Sequence, residues 1–203
     1  MLRTEELQSR FEVSRTAARE AVRTLEAKRM LRSTPHVGLT VRPVADWHLY
    51  DPDVIRWRLA GPGRARHLDE LTELRAAIEP AAAAAAARRS EAVAETLLRH
   101  ASTMRARAAA RDRAGFLEAD VEFHTALLTA CGNPLFAQLG PVTEQLLRGR
   151  ADLNLLPAAP DPADAARHDA VAVAIAAGKA EEAEQAMRLV VRESLDDIHR
   201  RLE

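Results

Sequence analysis

Apolar residues recur at helical spacing along most of this chain and alternate over only one short stretch. Leu7 and Phe11 stand four apart within 4–11, and Ala18, Val22, Leu25 and Met30 form one stripe across 15–30, as side chains on a single helix face do. Between these segments Glu12-Val13 reads as a turn, and Ser14 as the N-cap of the second helix. Leu31 to Val41 then alternates and carries Pro35-His36-Val37-Gly38, which predicts a strand, a turn and a second strand. From Trp47 onward the period is helical again, with helices predicted over 51–59, 65–89, 91–110, 113–130, 134–153, 162–177 and 180–202. Asn133-Pro134 and Asp161-Pro162 read as N-cap and N1 pairs, while Gly132 and Gly178 suit helix ends. The pattern predicts a mainly α protein. An N-terminal winged helix-turn-helix with a small β-wing occupies 1–44, and a C-terminal all-α antiparallel helical bundle occupies 45–203.

Composition narrows the class. Alanine supplies about a fifth of the chain and aromatics only 3%, so the helices must pack closely with little bulk between them. No run of 18 apolar residues exists to span a membrane. The start, Met1-Leu2-Arg3-Thr4-Glu5-Glu6, has no apolar export signal. A single cysteine, Cys131, excludes an internal disulfide framework or a thiolate metal cluster, and the expected location is cytoplasmic. The net charge of −1 hides an asymmetry: residues 1–45 hold nine Lys/Arg against five Asp/Glu, and the remainder 20 against 25. A basic head on an acidic body suggests an anionic partner for the head, nucleic acid among the candidates.

Arg15, Thr16, Arg19 and Arg23 mostly point away from the stripe of the second helix. A tight turn followed by a helix that starts with polar and basic residues is how a major-groove reader is built. In the body, the informative residues are polar ones inside apolar stripes. Asp120 and His124 sit one turn apart near the centre of the face made by Phe116, Leu117, Val121, Phe123, Leu127, Leu128 and Cys131. That spacing lets both touch one ion or ligand, and it equally suits a hydrogen-bonded core pair. His168 shares the stripe of Val171 and Ile175, and Arg75 lies beside Leu68, Leu71 and Ile78. An inward arginine is a natural carboxylate clamp, although Glu79 on the same helix is an alternative partner.

Residues 11–26, Phe-Glu-Val-Ser-Arg-Thr-Ala-Ala-Arg-Glu-Ala-Val-Arg-Thr-Leu-Glu, resemble the recognition-helix signature of GntR-family transcription regulators. The resemblance implies DNA contacts by Ser14, Arg15, Thr16 and Arg19, a phosphate contact by Arg23, and a wing turn at Gly38. The family has a further helix before this point and glycine where His36 stands, so a winged domain starting here is expected to be under-packed. The body resembles the FadR-subfamily effector domain through Leu71-Thr72-Glu73-Leu74-Arg75-Ala76-Ala77-Ile78-Glu79-Pro80, Asp120-Val121-Glu122-Phe123-His124, Gly132-Asn133-Pro134-Leu135, and His168 followed by Ala174-Ile175-Ala176-Ala177-Gly178. That subfamily implies a homodimer binding operator DNA and a small carboxylate effector, with Arg75, Asp120, His124, Asn133 and His168 as effector-binding residues. Many members hold a divalent metal, zinc or nickel, with one aspartate and three histidines. Asp120, His124 and His168 match three of these, and the fourth position falls on Val190. A three-ligand site can still hold a metal with open positions, or the pocket binds its effector without one. The segment 49–59, with Asp51-Pro52 and Trp57, is similar to regulators that answer sugar acids such as galactonate or gluconate. The expected function is therefore a non-enzymatic, effector-responsive regulator. The alternatives are a helical ligand- or metal-binding protein with little DNA affinity, and a metalloenzyme built on Asp120, His124 and His168.

Overall fold

The computed structural model describes residues 4–34, 37–89 and 91–202, so the Pro35-His36 turn of the expected wing lies outside the described residues. The chain divides into two compact units, Met1–Ile55 and Arg56–Glu203. In the first, α1 (Thr4–Phe11) and α2 (Arg15–Ala27) precede antiparallel strands β1 (Leu31–Thr34) and β2 (Gly38–Val41), which pair from Leu31 opposite Val41 to Thr34 opposite Gly38. Helix α1 closes at Glu12, whose backbone is left-handed at φ 52°, and the Val13 N–H reaches back to the Gln8 carbonyl at 3.2 Å. Ser14 opens α2 by accepting from the Ala17 N–H at 3.1 Å.

The α2 stripe is buried as expected at Ala18 and Val22, joined by Leu39 of β2, while Leu25 and Met30 are half-buried. Phe11 departs from expectation: it is 62% exposed, because α1 ends on it and the chain turns away at Glu12. Residues after the wing stay bonded to this unit. The His48 N–H donates to the Lys28 carbonyl at 3.0 Å, and the Lys28 ammonium reaches Asp51 at 2.7 Å and Asp53 at 2.9 Å.

Helix α3 (Pro52–Ala60) leads into the second unit, which continues with α4 (Arg64–Ala86), α5 (Glu91–Ala109), α6 (Arg113–Ala130), α7 (Pro134–Ala137), α8 (Gly140–Asp152), α9 (Pro162–Ala176) and α10 (Ala180–Leu202). Helix α4 packs along α10, α10 along α9, and α5 against both α6 and α9. The core mixes small and large side chains, with Ala82, Ala83 and Ala101 letting backbones approach around Leu97, Phe123 and Met187. The single helix expected over 134–153 is instead two. Pro141 has no N–H to donate and its ring crowds the carbonyl four residues back, and Gly140 beside it is a poor helix former, so α7 stops at Ala137 and α8 begins at Gly140.

Candidate functional site

Helix α6 carries Asp120 and His124 one turn apart, and α9 brings His168 across to them. The three donor atoms make a near-equilateral triangle. Asp120 Oδ1 is 3.2 Å from His124 Nε2 and 3.2 Å from His168 Nε2, and the two imidazole nitrogens are 3.2 Å apart. Each ring is oriented from behind. His168 Nδ1 lies 2.8 Å from the Asp164 carbonyl, which accepts its proton, and His124 Nδ1 lies 3.0 Å from the Glu79 carboxylate. Both imidazoles therefore direct Nε2 at the triangle, and Phe123 edges against both rings to fix their planes.

Two nitrogen lone pairs and a carboxylate oxygen converging in a buried place repel one another unless a proton or a cation sits among them. Asp120 Oδ1 accepts no well-aligned hydrogen bond among the described residues although it is buried. Ligand atoms about 2.1 Å from a divalent ion lie roughly 3.4 Å apart in a tetrahedral shell and roughly 3.0 Å apart in an octahedral one. The observed 3.2 Å edges fall between these, so the residues fit a divalent ion. Protonation answers the same demand without metal. Burial works against the charged form of His168, but the carboxylates of Asp120 and Asp164 outweigh it and raise the ring to about 9. Burial likewise acts to raise the Asp120 carboxyl, yet the two rings hold it well below the usual carboxylate range.

Arg75 of α4 stands beside this triangle, 3% exposed. Arg75 has the Glu79 partner that its spacing offered. It makes a two-point bond to Glu79, Nε to Oε1 at 2.8 Å and Nη2 to Oε2 at 3.1 Å, and it also lines the cavity into which the triangle opens. Its Nη1 has no hydrogen-bond partner among the described residues. The cavity, about 260 Å³, is walled further by Phe116, Leu147, Arg150, Arg167, Val190 and Ser194. Val190 is 3% exposed and faces it, as the helical stripe implied. Asn133 is not brought there: its side-chain oxygen accepts from the Leu135 N–H at 3.0 Å, capping α7, and it is absent from the wall. Sequence reading missed Glu79 as the partner of His124, and Arg150, which bonds Ser194 at 2.7 Å. A signal for Arg150 did exist, since it follows Leu146 and Leu147 on the buried stripe of α8.

The residues expected at DNA lie together on the first unit. Arg15, Thr16, Arg19 and Arg23 are exposed along the start of α2, behind the capping Ser14. Arg23 pairs with Glu20 at 2.8 Å, whereas no acidic partner of Arg15 or Arg19 occurs among the described residues. Gly38 opens β2 with φ 107°, a conformation that L side chains rarely adopt.

No helix among the described residues is long and apolar enough to cross a membrane. An FCD domain matches residues 70–193. The galactonate operon transcriptional repressor of Escherichia coli (strain K12) is 35% identical over 144 residues, 70% of this chain and 62% of that protein. An HTH-type transcriptional regulator of the same organism, YieP, is 32% identical over 133 residues, covering 64% and 56% respectively. The chain thus spans about three fifths of the length of the curated relatives it matches. Among solved structures, Streptococcus agalactiae GntR superposes with a TM-score of 0.58 at 23% identity, over 97% of this chain and 88% of that one, a likeness of fold. Matched over residues 70–193, more than half its length, the chain belongs to the FCD-domain family.

Proposed function

We propose that the chain is a transcriptional regulator whose helical unit senses a small carboxylate and whose winged unit, as a homodimer, reads a short palindromic operator. The observation that carries this reading is the convergence of Asp120, His124, His168 and Arg75 on one cavity in a chain that also exposes Arg15 and Arg19 at a helix start. Asp120, His124 and His168 would hold a divalent ion, zinc or nickel, which when bound supplies positive charge and open coordination positions to a carboxylate oxygen. Arg75, kept in place by Glu79, offers its free Nη1 to the same anion. At the other unit, Ser14, Thr16 and Arg23 would position α2 against phosphates while Arg15 and Arg19 reach base edges or phosphates, with Gly38 shaping the wing turn. Effector binding acts by favouring one arrangement of the DNA-reading units over another. The relatives' names support a regulator over an enzyme and make sugar acids the first effector class to try.

The test is fluorescence anisotropy against the DNA upstream of the chain's own gene, across a salt series, with and without sugar acids. Binding that falls steeply with salt, loses about tenfold or more in Arg15→Ala or Arg19→Ala, and responds to an acid is the expected outcome. Affinity unchanged in both variants overturns the DNA assignment. A response unaltered in Arg75→Ala overturns the clamp.

A further inference from the structure

The cavity wall carries two charged clusters. In one Asp120 meets two imidazoles; in the other three guanidinium groups share a single carboxylate. Asp197 lies 3.5 Å from Arg150, 3.6 Å from Arg200 and 3.1 Å from Arg201. The shortest bond of Arg150 goes to an uncharged acceptor, Ser194 Oγ at 2.7 Å, and its Nε is buried with no partner among the described residues. Arg150 is only 7% exposed, so water answers little of its charge. Arg167, on the same wall, shares the buried Nε without a partner among the described residues, and faces two carboxylates, Asp164 at 3.5 Å and Asp161 at 3.9 Å.

Counting the whole wall sets the charge of what can enter. Six arginines face five carboxylates, and Glu79 directly behind Arg75 is the sixth, so the lining is neutral while both imidazoles are neutral. A divalent ion on Asp120, His124 and His168 then adds two positive charges that nothing in the wall cancels. A monocarboxylate removes one of them, and a dianion removes both. At about 260 Å³ the cavity takes a small acid rather than a long-chain one.

Resting on the carboxylate-sensing reading above, we propose that the effector is a small dianion, a dicarboxylate. One acidic end meets Arg75 and the Asp120–His124–His168 triangle, and the other is held by Arg150 with the Ser194 hydroxyl.

Calorimetry on the zinc-loaded full chain tests this with acids that differ at one end only: malate against 2-hydroxybutyrate, and galactarate against galactonate. The diacid of each pair should bind about tenfold more tightly or better, the effect expected of a hydrogen-bonded charge. Arg150→Gln should bring each pair to near equality while leaving the monoacid's affinity alone. If that variant fails to fold, Ser194→Ala should narrow the gap in the same direction. With zinc removed the diacid's advantage should shrink. Equal affinities for the members of both pairs in the wild type overturn the proposal and leave the regulator reading standing. No binding of any of the four acids to the loaded chain removes the carboxylate reading of the cavity altogether, and this inference with it.

Discussion

At position 190 a valine, 3% exposed, stands in the cavity wall with Asp120, His124 and His168, where the family resemblance puts a fourth imidazole. Three protein ligands leave a metal open to solvent and effector, at the cost of a nitrogen donor. Val190→His should raise zinc affinity by about tenfold or more, the scale on which changes around metal ligands act, read by competition with a chromogenic chelator. Unchanged zinc retention would mean that the triangle does not hold the ion. The three residues of the triangle were legible in the sequence because each is an ionisable residue inside an apolar stripe, where it must be paired or ligated. Arg75 was legible for the same reason, and its bond to Glu79 was visible as a four-residue spacing. Arg150 was legible only as a residue on the buried stripe of α8; its bond to Ser194, 44 residues away, and its share of an overdrawn Asp197 were not. No local periodicity carries a contact of that kind.

At the scale of elements, helix limits followed caps and periodicity closely, and α6 and α10 begin and end at the residues expected. The break between α7 and α8 was missed because apolar spacing continues through it, while the backbone chemistry of Gly140-Pro141 decides the geometry. Phe11 shows the converse limit: spacing placed it on a face, but only the helix end decided that it stays largely exposed. The joint between α2 and α3 gives a pH prediction. Asp51 bonds Lys28 at the end of α2 and caps α3 by accepting from the Asp53 N–H at 2.9 Å and the Val54 N–H at 3.3 Å. Burial acts to raise its pKa, but the ammonium and these amides hold it below the usual carboxylate value. A carboxyl lowered on folding contributes stability above its unfolded pKa, about 3.9, and that contribution is lost as pH falls through the folded value. Lys28 is raised, burial opposing and the two aspartates prevailing, so its contribution is full below about 10.4 and lost as pH rises through its folded value. Thermal melts followed by circular dichroism should show stability falling as pH drops below about 4. Asp51→Asn, which weakens the cap and the ion pair by about 1 kcal/mol at neutral pH, should remove part of that acid step. An identical acid dependence in the variant would assign the step to other carboxylates.

At the scale of the molecule, the charge division set out from sequence acquires a meaning only if the two units exchange free energy. The basic residues 1–45 and the acidic remainder would bind anions of different size, DNA at one and a small carboxylate beside Arg75 and Arg150 at the other. If the carboxylate changes the affinity for operator DNA by some factor, operator DNA must change the affinity for the carboxylate by that same factor, because both describe one thermodynamic cycle. For a regulator of this kind the factor should lie between about 5 and 150. Measuring it both ways, by anisotropy with saturating acid and by calorimetry with saturating operator at the same salt, should return equal ratios. Arg19→Ala should weaken DNA binding while leaving the carboxylate affinity of the DNA-free chain unchanged, since its exposed side chain lies on α2 and not in the cavity wall. Ratios that disagree would show that DNA release follows something other than occupation of this cavity. A factor of one in both directions would show a carboxylate site and a DNA reader sharing a chain without communicating, which would remove regulation from the proposal and leave two independent binding functions.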